Sequence, residues 1–220
     1  MIPTDVDLVN LSARIYHDTS GFDYIDVGTD DGVYFGLKKL DDYDVIVFRG
    51  SIAALDWWRD LRAEPCETRN IGTVHSGFYA GMEKMWAEVK PMLTKPVVVT
   101  GHSLGAARAD ILCALMAADK CPPVYAAMFG EPRPGLPDFA RVIKDVPRTV
   151  YRNTTSWGHD HVCDVPLRLF GKLDFVHPKI MTDVSAEPSG DLVQKYGLFS
   201  LHHIDLYVSA VAAHFAKETA

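Results

Sequence analysis

The sequence predicts an α/β protein with a mostly parallel central sheet and helices on both faces. Three observations predict it. Short β-branched or aromatic runs alternate with longer amphipathic stretches from residue 33 onward, the order that lays helices over a parallel sheet. One run, Val97-Val98-Val99-Thr100, is almost wholly apolar and bounded by Pro96 and Gly101, as a strand covered on both faces should be. No linker divides two cores, so residues 1–220 are expected to form one domain.

The elements follow in order. Val33–Leu37 and Val45–Phe48 read as neighbouring strands joined by the polar turn Asp41-Asp42-Tyr43-Asp44. Val97–Thr100, Val124–Phe129 and Thr149–Arg152 read as further strands. Helices are expected at about 75–93, 104–119 and 137–144. A last helix starts near His203, where Ile204, Val208, Val211 and Phe215 share one face. The stretch from about 156 to 200 holds Pro166, Pro178 and Pro188 with little periodicity. It is expected to lie as loops over the carboxyl end of the sheet, where such proteins place their sites.

A formal charge of −7 with scattered basic residues argues against a nucleic-acid surface or a polybasic membrane anchor. No apolar stretch approaches the roughly 20 residues that cross a bilayer, so no integral membrane segment is expected. The start, Met1-Ile2-Pro3-Thr4-Asp5-Val6-Asp7, lacks the basic and apolar regions of a secretory leader. Cys66, Cys113, Cys121 and Cys163 show no C-x-x-C spacing. Together these favour a reduced, cytoplasmic setting over a secreted one. His159-Asp160-His161 suggests a metal site, but alternate residues of a strand do not converge on one ion and no third ligand is linked to them by a motif. No metal is expected.

Gly101-His102-Ser103-Leu104-Gly105 fits G-x-S-x-G, and its context makes it informative. It follows the buried strand and opens the helix from Leu104, the strand-turn-helix of the α/β-hydrolase nucleophile elbow. So tight a turn strains the serine and leaves no room for side chains at 101 and 105. Ser103 is the expected nucleophile. The Leu104 amide, directly after it, is the expected oxyanion donor.

The chain here resembles the class 3, fungal-type triacylglycerol lipases, and the likeness runs well beyond the elbow. Val45-Ile46-Val47-Phe48-Arg49-Gly50-Ser51 is similar to that family's strand ending in F-R-G-S/T. Asp56-Trp57-Trp58-Arg59-Asp60-Leu61 resembles its N-W-x-x-D-L segment. Val74-His75-Ser76-Gly77-Phe78 matches V-H-x-G-F, and Phe129-Gly130-Glu131-Pro132-Arg133-Pro134-Gly135 matches F-G-x-P-R-x-G. The elbow block departs in Ala106, where relatives have a second glycine. Arg108 adds a charge where they are usually apolar; it is expected at the surface or paired with an acid such as Asp110 or Glu131.

A serine hydroxyl needs a base, and the base an orienting carboxylate. Asp160 and Asp164 compete for the acid role. The family's D-x-V-x-x-L/V-P pattern is met by Asp160 to Pro166 with Asp160 in the acid position, which leaves Asp164 as a solvated loop residue. His202 and His203 compete for the base. The resemblance implies a histidine five residues before a helix-opening tyrosine, and His202 to Tyr207 has that separation. It also implies Ser51 as the second oxyanion donor. Residues 52–61 match in position the family's short lid helix, where Trp57 or Trp58 would contact acyl chains; the alternative is that both are partly buried core aromatics. His75 and His102 are expected to pack and hydrogen-bond, not to catalyse.

The implied function is a serine carboxylester hydrolase, a lipase or esterase cleaving acylglycerols or other carboxylic esters without a cofactor, in transient contact with a lipid interface. Phospholipase or feruloyl-esterase specificity uses the same scaffold. A catalytically silent, hydrolase-like binding protein is the reading from another class.

Overall fold

The computed structural model describes residues 1–28, 32–51, 64–167 and 173–218. Its first element is α1 (Asp5–His17), which lies before the stretch patterned in the sequence. Thr4 and Asp7 form a capping box. The Thr4 hydroxyl accepts the Asp7 amide at 3.2 Å, and the Asp7 carboxylate accepts the Thr4 amide at 2.9 Å. A cap of this kind contributes about 1 kcal/mol to a helix end.

Strands β1 (Tyr24–Asp26), β2 (Phe35–Lys39) and β3 (Asp44–Phe48) form an antiparallel meander. The hairpin of β4 (Pro65–Glu67) and β5 (Thr73–His75) stands as a separate two-stranded sheet. Next come β6 (Val97–His102), β7 (Tyr125–Phe129), β8 (Arg148–Thr155), β9 (Gly158–His159) and β10 (Thr182–Val184). The main sheet runs in the order β1-β2-β3-β6-β7-β8-β10, parallel from β3 onward, with β9 folded back antiparallel on β8.

The helices are α2 (Ser76–Tyr79), α3 (Met82–Val89), α4 (Leu104–Ala118), α5 (Pro137–Val142), α6 (Gly190–Tyr196) and α7 (Ile204–Glu218). Alternation along the strands divides them between the two faces. Val45, Val47, Val98, Ala127 and Phe129 pack with Leu8, Val9 and Ile15 of α1 and with Tyr207, Ala210 and Val211 of α7. Ile46, Phe48, Val99 and Met128 turn the other way, onto α3, α4 and Phe139 of α5. Each large apolar side chain buried in these layers contributes roughly 1.5–3 kcal/mol. Helix α4 runs between sheet and neighbours with every residue from Leu104 to Met116 buried.

Two expectations change. The helix predicted over 75–93 is broken between α2 and α3, where Gly81 takes a left-handed φ of 79°. The stretch at 156–200 is not all loop, for it holds β9, β10 and α6. These are too short for periodicity to reveal, and α6 buries no residue at all. The segment 52–61, with Trp57 and Trp58, lies outside the described residues. No described helix is long and apolar enough to cross a membrane.

Candidate active site

The site is assembled at the carboxyl ends of β3, β6, β7 and β8. Strand β6 ends at His102, and Ser103 turns the chain into α4 with φ 61° and ψ −132°. A non-glycine residue at positive φ costs of order 1–3 kcal/mol and is held by its surroundings. Here the Ser103 amide donates to the Phe129 carbonyl at 3.0 Å, and the Ser103 carbonyl accepts from Ala106 at 2.9 Å. Side chains at Gly101 and Gly105 would run into the Gly105 and Phe48 carbonyls, so the turn excludes both. The Ser103 hydroxyl does not cap the helix. It is buried with no hydrogen-bond partner among the described residues.

Strand β3 lies parallel beside β6 with Phe48 opposite Gly101, which brings the Gly50-Ser51 corner to the same end as the elbow. Gly50 sits so close to Ser103 that an added Cβ would fall 2.8 Å from the Ser103 Cβ. Ser51 is half-buried at this corner, and Leu104 is buried at the start of α4.

Asp160 follows directly on β9. This short strand folds back on β8, and the Asp160 amide donates to the Asn153 carbonyl at 2.9 Å. Asp160 is fully buried, and its Oδ2 lies 2.6 Å from Nδ1 of the buried His202. The Tyr207 hydroxyl donates to the same oxygen at 2.6 Å, while Oδ1 accepts the Val162 amide at 2.9 Å. Burial pushes the Asp160 carboxyl up, but the His202 charge and these hydrogen bonds outweigh it and hold the group below its usual range. Burial and the Asp160 charge push Tyr207 far up, so it remains a donor.

His102 joins this pair to the elbow. Its ring stacks on His202 at 4.6 Å, and its Nε2 lies 2.9 Å from the His202 carbonyl. A carbonyl only accepts, so Nε2 carries the hydrogen and Nδ1 takes one from the Tyr16 hydroxyl at 2.9 Å. The Tyr16 oxygen accepts the Gly50 amide at 3.0 Å. Burial, then the neighbouring His202, holds His102 well below the usual histidine range, as this neutral role requires. His75 also has a supporting role, accepting the Gly77 amide at 3.1 Å and stacking on Phe78.

Gly130 lies beneath Asp160 and His202. Its φ is 59°, and a Cβ there would fall 2.9 Å from Asp160 Oδ2 and from His202 Cε1 and Nδ1. The next residue, Glu131, is fully buried beside Asp110. His177 donates from Nε2 to the Cys163 carbonyl at 2.8 Å, which leaves Nδ1 to accept from Glu131 at 3.2 Å. With the His177 ring neutral, that geometry calls for a protonated Glu131. Burial accordingly pushes its carboxyl up to about 8, against the opposing contact with Asp110 and the Arg148 charge. Burial also lowers His177 to about 4.

Three expectations are corrected. Arg108 is neither at the surface nor paired with Asp110 or Glu131; it is buried and donates to the Gly32 carbonyl. Burial lowers it to about 10. Asp164 is not a solvated loop residue but half-buried, 2.8 Å from His159 Nε2 and 3.4 Å from the Arg133 guanidinium. The premise that His159 and His161 diverge fails because the chain leaves β9 at Asp160 for a 3-10 turn over 161–164. Both imidazoles then face Asp164. His203 stands away from Asp160, 3.5 Å from Asp205 and beside Tyr196.

Sequence reasoning marked Tyr207 by spacing alone and missed Tyr16 and Asn153. Asn153 grips the loops around the site, donating to the Ala186 and Leu201 carbonyls at 3.0 and 3.1 Å and accepting the Ala186 amide at 2.9 Å.

The architecture is that of solved lipases. The structure of Rhizomucor miehei triacylglyceride lipase superposes with a TM-score of 0.62 over 81% of this chain and 77% of that one, at 24% identity. A lipase from Rhizopus microsporus var. chinensis gives 0.66 over 84% and 75%, at 17% identity. The protein therefore has the α/β-hydrolase fold. The sequence profile described as lipase (class 3) matches residues 45–170. The chain belongs to the class 3 lipase family. It is 31% identical over 158 residues to the secreted mono- and diacylglycerol lipase 1 of Fusarium solani, which covers 66% of this chain and 46% of that one. The chain spans less than half the length of that relative.

Proposed function

We propose that the protein is a serine carboxylester hydrolase of the lipase and esterase type, acting through an acyl-enzyme. The observation that carries this reading is the 2.6 Å contact between buried His202 and buried Asp160. The His202 carbonyl is tied to His102, directly before the strained Ser103. In this reading Asp160 accepts the His202 Nδ1 hydrogen, which leaves Nε2 as the basic nitrogen that takes the Ser103 proton. Ser103 attacks the ester carbonyl, and the amides of Ser51 and Leu104 hold the oxyanion. One such donor typically supplies about 2.7–4 kcal/mol. His202 returns the proton to the departing alcohol, then activates the water that frees the acid. Each step moves a proton between groups of this chain and the substrate.

Acylglycerols are the proposed substrate class, because the Fusarium relative is named for mono- and diacylglycerols. Contact with a lipid interface would be transient. For the compartment, the cysteine spacing points to a reduced setting, whereas that relative is named as secreted. Localising the native protein separates the two. A panel of p-nitrophenyl esters from acetate to palmitate, with a fluorophosphonate label, tests the activity. Turnover with labelling of one serine is expected, and neither would occur in a silent binding protein.

A further inference from the structure

We propose that His159, His161 and Asp164 form a binding site for a divalent transition-metal ion of the zinc class, on the strap that carries Asp160. Nε2 of His159 lies 2.8 Å and Nδ1 of His161 3.5 Å from Oδ2 of Asp164. One ligand atom from each residue falls within 4.8 Å of the others. Bonds of roughly 2.0–2.2 Å to nitrogen and oxygen set neighbouring tetrahedral ligands about 3.3 Å apart. The two distances to Asp164 bracket that value and the imidazole pair lies within 4.8 Å, so small side-chain rotations would close the site. Two imidazoles and one carboxylate favour zinc and its neighbours over magnesium or calcium, which prefer oxygen. His161 is half-exposed, which gives an ion access from solvent and leaves its fourth position to water.

The backbone of this strap is already held. His159 pairs with Thr154 of β8, and the Asp160 amide donates to Asn153. Arg133 donates to the Asp164 and Pro166 carbonyls. Its guanidinium also approaches Asp164 Oδ1 at 3.4 Å, which leaves Oδ2 turned to the imidazoles. The Arg133 charge opposes a dication, so affinity should fall below that of a closed four-ligand site. A bound ion would cross-link β9 to the 3-10 turn. This inference stands on the three side chains alone and does not require the ester-hydrolase reading.

Titration of the full chain with zinc chloride, followed by calorimetry, tests it. One zinc per chain is expected, with affinity lost by about tenfold or more in His161→Ala, His161→Gln and Asp164→Asn. The exposed His17→Ala should bind as the parent does, and so should Cys121→Ser. Zinc should also raise the melting temperature of the parent but not of His161→Ala, with far-UV circular dichroism reporting that each variant is folded. No saturable binding, or binding that survives both folded His161 variants, overturns the proposal and leaves the trio a hydrogen-bonded cluster.

Discussion

Tyr207 and His202 converge on one atom, Oδ2 of Asp160, each 2.6 Å from it and from opposite ends of a five-residue step in sequence. His202 closes a 3-10 turn and Tyr207 lies in the first turns of α7, so the helix start places both donors. The Tyr207 oxygen in turn accepts the Asn153 amide at 3.1 Å. The carboxylate is thus fixed from strand and helix together before any substrate arrives. Such preorganisation is what keeps an imidazole in one tautomer.

Ser103→Ala should abolish ester turnover and fluorophosphonate labelling while the circular dichroism stays unchanged. Asp160→Asn and His202→Ala should each lower kcat by roughly 10⁴-fold. Asp164→Asn and His203→Ala should be mild, because Asp164 faces His159, His161 and Arg133 and His203 faces Asp205, not Asp160. Steady-state kinetics on p-nitrophenyl butyrate separates the two groups, and a crippling Asp164→Asn would reassign the acid.

Tyr207→Phe removes one donor to Asp160 and the acceptor of the Asn153 amide. Hydrogen bonds to a charged group contribute about 1.5–3 kcal/mol, so kcat should fall by about tenfold or more. KM should hardly move, since Tyr207 is a positioning residue and meets no substrate. An equal change in KM and kcat would place its effect elsewhere.

Gly130→Ala would drive a methyl group against both Asp160 and His202 at a φ that alanine adopts with strain. Activity should drop by more than the loss of stability explains. Thermal melts beside kinetics make the comparison, with a folded, fully active Gly130→Ala as the contrary result.

Glu131 links stability to pH. Its folded carboxyl is raised from 4.5 to about 8, so the folded chain holds a proton there that the unfolded chain releases. The stabilisation is complete below about 4.5 and is lost as pH rises through about 8. Relative to Glu131→Gln, the parent should therefore lose stability between pH 5 and 9. Urea melts of both proteins across that range give the difference, and parallel curves would exclude the effect.

The legible parts of this protein are those whose physics is local. The elbow is readable because Gly101, Ser103 and Gly105 answer a steric conflict within five residues. Asp160, the carboxylate found beside His202, is set apart from Asp164 only by the family pattern D-x-V-x-x-L/V-P and not by any local physics. Tyr16 was invisible because its contact with His102 spans 86 residues and belongs to no periodic pattern. Arg108 was misplaced because a lone charge in an apolar helix gives no sign that it will meet a distant backbone carbonyl. His159 and His161 were judged by strand geometry, which ceases to apply once the chain turns at Asp160.

Helix α1 contributes none of the proposed reacting groups, yet Tyr16, near its carboxyl end, spans the gap between Gly50 and His102. The amino-terminal segment is therefore a keystone for the site and not an appendage. Deleting residues 1–17 would release the Gly50 corner and the histidine behind His202 together. An enzymologist would see a turnover defect in a chain whose serine, aspartate and histidine were all intact.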